Sequence, residues 1–357
     1  MNRSFPALAR LHARRYPLMA PQDFGKLAYQ SEFGPGHMVS DPALALERLL
    51  TECRGLTPDC LHRPPEPIGG GLCRFHLEPA HLSQEGLLPL VSLLFTATAC
   101  RHTGTRAGLD ERLESLLALD IPGYPAWLRD YRAEDCPALH HSEAFRSAYH
   151  PHYRVLERDY VNFLFVLLAI WPLARGGRPA VVAIDGRCGS GKTSLAALIA
   201  ALFPCNVFHM DDFFLPPALR TPERLSQPGG NVDRERMLAE VLLPLSRGED
   251  VTFRPFDCHA GRLRPPVSVP FRPLTVVEGS YALHPDLAPQ YDLKLFLTCS
   301  REEQRRRLLE REGPEGLIPF LEKWIPLEER YFDALRPEEE SDLTVDTTGF
   351  FQDPESL

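Results

Sequence analysis

The sequence predicts an α/β protein in two parts: a parallel sheet flanked by helices over residues 176–357, preceded by a mostly α-helical domain over residues 1–175. Three observations carry that expectation. From Pro179 onward, apolar β-branched runs alternate with helix-forming stretches, the pattern of a parallel sheet covered on both faces. The first such run, residues 179–185, leads into a glycine-rich stretch and then an apolar helix over residues 194–203. Between the two parts, Gly176-Gly177-Arg178-Pro179 reads as a hinge.

Bulk composition narrows the class. At 357 residues the chain has room for two cores. Its 44% hydrophobic and 24% charged residues are those of an ordinary globular protein, and a formal net charge of −9 argues against a nucleic-acid-coating role. The nine cysteines are odd in number and contain no CxxC pair, so reduced thiols and a cytoplasmic location are expected. The longest apolar run, residues 160–174, carries Asn162 and Pro172; it suits a buried helix and not a membrane span. The oligomeric state is left open.

In the first part, Asp41-Pro42 marks a helix start, an N-cap acid with proline at the first helical position, and residues 43–53 follow with helical spacing. Residues 82–99, 109–119, 124–131 and 154–171 are the other expected helices. Three spots invite attention. Glu32 and His37 flank a Gly34-Pro35-Gly36 turn. Gly69-Gly70-Gly71 precedes Arg74 in what reads as a loop. His140, His141, His150 and His152 have spacings that match no metal motif. None announces a chemistry.

The second part does. Gly186-Arg187-Cys188-Gly189-Ser190-Gly191-Lys192-Thr193 fits the phosphate-loop pattern GxxxxGK[ST] in its strand–loop–helix context. Glycines let successive amides turn inward toward phosphate oxygens, and the following helix adds its positive N-terminal end. The expected nucleotide-binding set is Gly186, Cys188, Gly189, Ser190, Gly191, Lys192, Thr193 and Ser194, with Lys192 on the phosphates and the Thr193 hydroxyl on Mg²⁺. The absence of an [NT]KxD segment favours ATP over GTP.

Catalytic groups of such sheets sit at the carboxyl ends of strands. After the expected second strand, residues 205–209, come Asp211 and Asp212, either of which could orient an attacking hydroxyl and take its proton. Asp233 precedes a helix and could cap it, bind sugar hydroxyls, or both. Phe256-Asp257-Cys258-His259 is a polar–aromatic cluster suited to a small acceptor. Glu278 ends a further apolar strand, where an acid would reach the metal. A helix from Ser300 carries Arg305, Arg306, Arg307 and Arg311, which could form surface ion pairs or close over a γ-phosphate.

On these motifs, in this order, residues 179–347 resemble the superfamily of uridine kinase, phosphoribulokinase and bacterial pantothenate kinase. The resemblance implies that Asp211 activates the acceptor and that Asp233 holds ribose hydroxyls. It places Asp212, Phe256 and His259 in the acceptor pocket and Glu278 beside the metal. Arg305, Arg306, Arg307 and Arg311 fall in a lid. Arg187-Cys188 departs from the small residue and serine usual in uridine kinases, which bears on the acceptor and not on the reaction class. Residues 1–175 match nothing in those enzymes. The expected activity is ATP- and Mg²⁺-dependent phosphoryl transfer to a hydroxyl of a small metabolite, a nucleoside among the candidates. The rival is a nucleotide-dependent switch whose helical half binds a partner.

Overall fold

The computed structural model describes residues 5–39, 41–57, 63–258 and 260–350. It divides between Leu164 and Phe165 into two compact units. No helix among the described residues is long and apolar enough to cross a membrane.

The first unit contains helices α1 (Phe5–Arg15), α2 (Pro21–Phe33), α3 (Pro42–Arg54), α4 (Leu87–Arg101), α5 (Arg106–Ser115), α6 (Tyr124–Ala133) and α7 (Glu143–Tyr149). As its Asp-Pro start predicts, α3 is capped by the Asp41 carboxylate, which accepts from the Ala43 amide at 2.8 Å. Apolar faces of α1, α2, α5 and α6 meet through Phe5, Leu8, Phe24, Leu27, Leu113 and Leu128, all buried. Each such side chain contributes about 1.5–3 kcal/mol on burial.

This unit also holds an antiparallel sheet that the helical reading missed: β1 (Glu66–Gly69), β2 (Leu72–His76) and β3 (Tyr153–Glu157). The triple glycine is a hairpin turn and not a plain loop. Gly69, Gly70 and Gly71 all take positive φ, and a Cβ on Gly70 would lie 2.2 Å from the Ser31 carbonyl oxygen of α2. Residues 154–157, expected as the start of a helix, form β3 because β2 offers a paired edge, with Arg74 opposite Val155 and His76 opposite Tyr153.

The second unit is an α/β fold built on a five-stranded parallel sheet. Helix α8 (Leu164–Arg175) lies almost entirely in it, with the Trp171 ring 6.3 Å from that of Phe203. Its strands are β4 (Ala180–Gly186), β5 (Cys205–His209), β6 (Val251–Phe253), β7 (Phe256–Asp257), β8 (Arg262–Leu263), β9 (Val267–Val269), β10 (Leu274–Glu278), β11 (Leu293–Thr298) and β12 (Leu343–Asp346). Five of them form one parallel sheet in the order β12-β11-β4-β10-β5. β6 pairs with β9, and β7 with β8, as short antiparallel hairpins. β4 and β10 are buried along their whole length, which explains their unbroken apolar reading.

Helix α9 (Lys192–Leu202) leaves the phosphate loop, and α10 begins at Arg234–Met237 and runs on through a π turn at Leu238–Leu242. Helix α11 (Arg301–Pro319) kinks at Gly313, whose φ is 73°, and a second π turn joins it to α12 (Ile325–Leu335). The parallel register sets Glu278 beside both Ile184 and His209, so the carboxyl ends of β4, β10 and β5 lie level.

Because Gly70 combines a left-handed backbone with a close approach to Ser31, Gly70→Ala should destabilise the first unit by about 1–3 kcal/mol. Thermal unfolding followed by near-ultraviolet circular dichroism should show an early transition moving down while a later one stays in place. Unchanged melting would contradict the contact.

Candidate phosphate-loop and acceptor site

The loop after β4 is shaped by two close approaches and one buried acid. Gly186 has φ 135°, and a Cβ there would sit 1.9 Å from the Leu297 carbonyl oxygen, so only glycine fits. Gly191, at φ 96°, turns the chain into α9, whose first-turn amides have no intrahelical acceptor and face the loop. Within the loop the Ser190 amide donates to the Arg187 carbonyl at 3.1 Å. The Lys192 ammonium folds back to donate to the carbonyls of Gly186 at 2.8 Å and Arg187 at 3.0 Å.

At the loop's mouth the Thr193 hydroxyl donates to both oxygens of Glu278, at 3.2 and 3.3 Å. His209 Nδ1 lies 2.5 Å from Glu278 Oε1, a contact that raises the imidazole's pKa. Asp211 and Asp212 follow on a 3-10 turn, Met210–Phe213, directly after β5. Asp211 reaches solvent, but the protein mass around it and then the Glu278 charge push its pKa up, against Lys192 and His209. Burial also raises Asp212, whose opposing charges are His209, Arg264 and Arg236. The two acids thus face different neighbours: Asp211 the loop lysine and Glu278, Asp212 Arg264 just after β8 and Arg236 of α10.

Around Asp212 the expected acceptor residues gather in part. Phe256 is buried with its ring 6.5 Å from Phe214, which in turn lies 5.6 Å from Trp324. Asp257 accepts from the Ala260 amide at 2.9 Å and from Arg264 Nε at 3.2 Å. Asp233 is an N-cap: its carboxylate takes the Arg236 amide at 3.1 Å and Arg236 Nε at 3.3 Å. The ion pair with Arg236 engages the oxygens that a sugar would need. His259 lies outside the described residues.

The arginine helix divides. Arg306 pairs with Glu303 at 2.6 Å and Glu310 at 2.7 Å, the ion pairs expected of a solvated helix. Arg307 serves as a bolt, donating to the Gly189 carbonyl at 3.1 Å, the Thr347 hydroxyl at 3.0 Å and Glu303 at 2.7 Å. It grips the loop's own carbonyl and not the space a phosphate would fill. Arg305 is exposed, and Arg311 donates to Glu312 at 2.6 Å with its guanidinium 5.5 Å from the Phe320 ring centre.

Several residues that sequence reasoning missed hold the loop from outside. Asp185, fully buried, accepts from the amides of Gly186 (2.6 Å), Tyr281 (3.1 Å) and Leu283 (2.8 Å) and from the Tyr331 hydroxyl (2.8 Å). Burial pushes its pKa up to about 6 against those bonds. Glu328 of α12 accepts from the Cys188 amide at 2.9 Å and the Ser280 hydroxyl at 2.5 Å, and its neighbour Glu329 pairs with Arg187. Gln304 donates to the Cys188 carbonyl at 2.9 Å, and Thr347 to that of Ser190 at 2.8 Å. Only Asp185, adjoining the glycine pattern, had a local signal.

In the first unit, Glu32 accepts from the Thr105 amide at 2.8 Å and Arg112 Nε at 3.1 Å; it brackets α2 to α5 and forms no site with His37, an exposed residue whose ring sits edge-on to Tyr29. His141 is buried between Asp23 and Tyr153, while His152 pairs with Glu52. No group of three metal-ligating side chains occurs among the described residues.

Among solved structures the chain is similar to a candidate uridine kinase from Bacillus stearothermophilus, at 22% identity over 53% of this chain and 98% of that one, with a TM-score of 0.41. It is also similar to a candidate fructose transport system kinase from Silicibacter sp. TM1040, at 25% identity over 52% of this chain and 98% of that one, with a TM-score of 0.39. No protein-family model and no curated protein matches the chain.

Each Asp185 oxygen receives a backbone N–H, so neither orientation of an amide can replace the carboxylate without setting N–H against N–H. Asp185→Asn should therefore destabilise the second unit by about 1–3 kcal/mol and loosen nucleotide binding with it. Urea unfolding of the variant beside the wild type checks this, and equal midpoints would overturn the clamp.

Proposed function

We propose that the second unit transfers a phosphoryl group from ATP to a hydroxyl of a small metabolite, with a nucleoside among the acceptors to be tried. The observation that carries this reading is the Thr193–Glu278 contact. It sets a loop hydroxyl and a strand-end carboxylate together where the glycine-rich turn opens, one strand from Asp211. Hydroxyl and carboxylate oxygens are the hard donors that Mg²⁺ takes, so Thr193 and Glu278 fit the ion. Magnesium, when bound, supplies charge neutralisation for the phosphate oxygens.

The chain's own groups do the rest. Gly189, Gly191, Lys192, Thr193 and Ser194 present backbone amides to the phosphates at the positive end of α9, with the Ser190 amide holding the turn through the Arg187 carbonyl. Lys192 exchanges its two loop carbonyls for phosphate oxygens. Asp211, the acid that faces Lys192 and Glu278, orients the acceptor hydroxyl and accepts its proton; its raised pKa suits a group that must hold a proton in passing. Asp212, Phe214 and Phe256 line the acceptor side. Arg305 and Arg311 remain available for closure, while Arg307 and Asp233 act by position.

Asp211→Asn should leave nucleotide affinity within a few-fold of wild type and lower turnover by about 10²–10⁴. Lys192→Ala should weaken both. ADP release is then screened over nucleosides, vitamins and sugar derivatives with Mg·ATP. Stimulation by one acceptor supports the kinase. Slow turnover indifferent to every acceptor supports a switch, and full activity in Asp211→Asn removes the base assignment.

A further inference from the structure

We propose that the first unit carries a ligand site of its own, for a small oxyanion. The site is a cavity of about 530 Å³ walled by Arg63, His76, Tyr149, His150 and His152. The shared chemistry is a phosphate or carboxylate group on a molecule of metabolite size, and the proposal stands whether or not the second unit is a kinase.

The first argument is the wall. Arginine and three histidines converge on the cavity, and no Asp or Glu occurs among the described residues that line it. Arg63 makes one hydrogen bond among the described residues, to the Tyr149 carbonyl at 3.0 Å, leaving a planar fork suited to an oxyanion. His152 engages Glu52 through Nδ1 at 2.8 Å, which leaves Nε2.

The second argument is what lies behind the wall. β1 and β2 set Glu66 opposite Arg74, with His76 two residues on along the same face. Glu66 is buried and accepts one long hydrogen bond from Arg74 at 3.4 Å, while Arg15 at 3.6 Å, His12 at 3.7 Å and His76 at 3.9 Å lie farther off. His76 is 7% exposed, and its Nε2, like His12 Nδ1 and Glu66 Oε1, has no hydrogen-bond partner among the described residues. Among the described residues, Arg15, Arg63 and Arg74 act on this cluster together with the Glu66 carboxylate. Burial and then those arginines hold His76 down to about 4, against the pull of Glu66, so it stands neutral. Arg74 and Glu66 are the buried charges here and balance each other, so the half-buried Arg63 on the cavity wall is the cation left for an anion. The cavity beside it is where one can be supplied.

The test uses the full chain. Inorganic phosphate, ribose 5-phosphate and citrate are titrated calorimetrically into the wild type and into Lys192→Ala, which removes the phosphate loop's own grip on anions. Saturable binding of one of them, retained in Lys192→Ala and weakened about tenfold or more by Arg63→Gln and by His76→Gln, is the expected result. Which probe binds separates phosphate from carboxylate. Should those buried variants misfold, His150→Asn decides: His150 is exposed at φ 43°, a backbone asparagine tolerates, and the variant should weaken binding several-fold without altering the melt. Absence of saturable binding with all three probes overturns the site. So does binding that disappears in Lys192→Ala or is indifferent to Arg63→Gln and His150→Asn.

Discussion

The second unit depends on one buried carboxylate. Asp185 sits at the end of the central strand, just before the glycine turn, and gathers three amides and a phenol. A buried acid without donors would be strongly disfavoured, and with four it becomes a junction that rigidly ties what it touches. Here it joins β4, the turn that follows β10, and α12. The loop can curl freely at its glycines because its root is fixed there. Glu328, Gln304, Arg307 and Thr347 extend the same principle around the outside, each engaging a loop amide or carbonyl that faces away from the hollow.

That bracing separates two jobs that the sequence runs together. Polar side chains along α11 and α12 could all have reached inward, and several do the opposite. Arg307 holds the loop's carbonyl side, so the inward amides stay oriented without help from a ligand. Orientation in advance is what makes dipoles effective on a charge that arrives later. The acids form the complementary half. Glu278 and Asp211 crowd each other near a single lysine, and the crowding itself raises Asp211. A hollow with amides on one side and carboxylates on the other is suited to a phosphate and a cation together.

How much of this was legible follows from distance along the chain. The loop and the acids after β5 and at the end of β10 are local patterns, read from eight or fewer consecutive residues, and the parallel sheet follows from the alternation of such runs with helices. The Asp185 clamp is not, because its partners Tyr281, Leu283 and Tyr331 lie 96, 98 and 146 residues away. The same holds for Glu328, 140 residues from Cys188. In the first unit the hairpin at Gly69–Gly71 looked like a loop because glycine marks turns of every kind. What makes it a hairpin is the antiparallel pairing of β1 with β2, and β2 finds its other neighbour, β3, some eighty positions on. The sequence marks Arg307 for catalysis and Asp233 for the substrate, but their partners, the Gly189 carbonyl and Arg236, cannot be read from it.

The first unit contains an internal control for its own polar interior. Asp23 is as deeply buried as Glu66, and its oxygens take the Ala20 amide at 2.9 Å, the Ser142 amide at 3.0 Å, the Ser142 hydroxyl at 2.6 Å and the His141 ring at 2.9 Å. Burial would raise Asp23, yet those bonds outweigh it and hold the carboxyl below its usual range. That is how a fold treats an acid kept for structure: every lone pair is met at bonding distance. Glu66 has more cations around it and none nearer than 3.4 Å. If its purpose were to join β1 to β2, the Asp23 solution was available in the same unit. A loosely caged acid beside two imidazoles that each leave one ring nitrogen unmet among the described residues, next to a cavity walled by Arg63 and histidines, is what an interior looks like when its last hydrogen bonds are reserved for something that comes and goes.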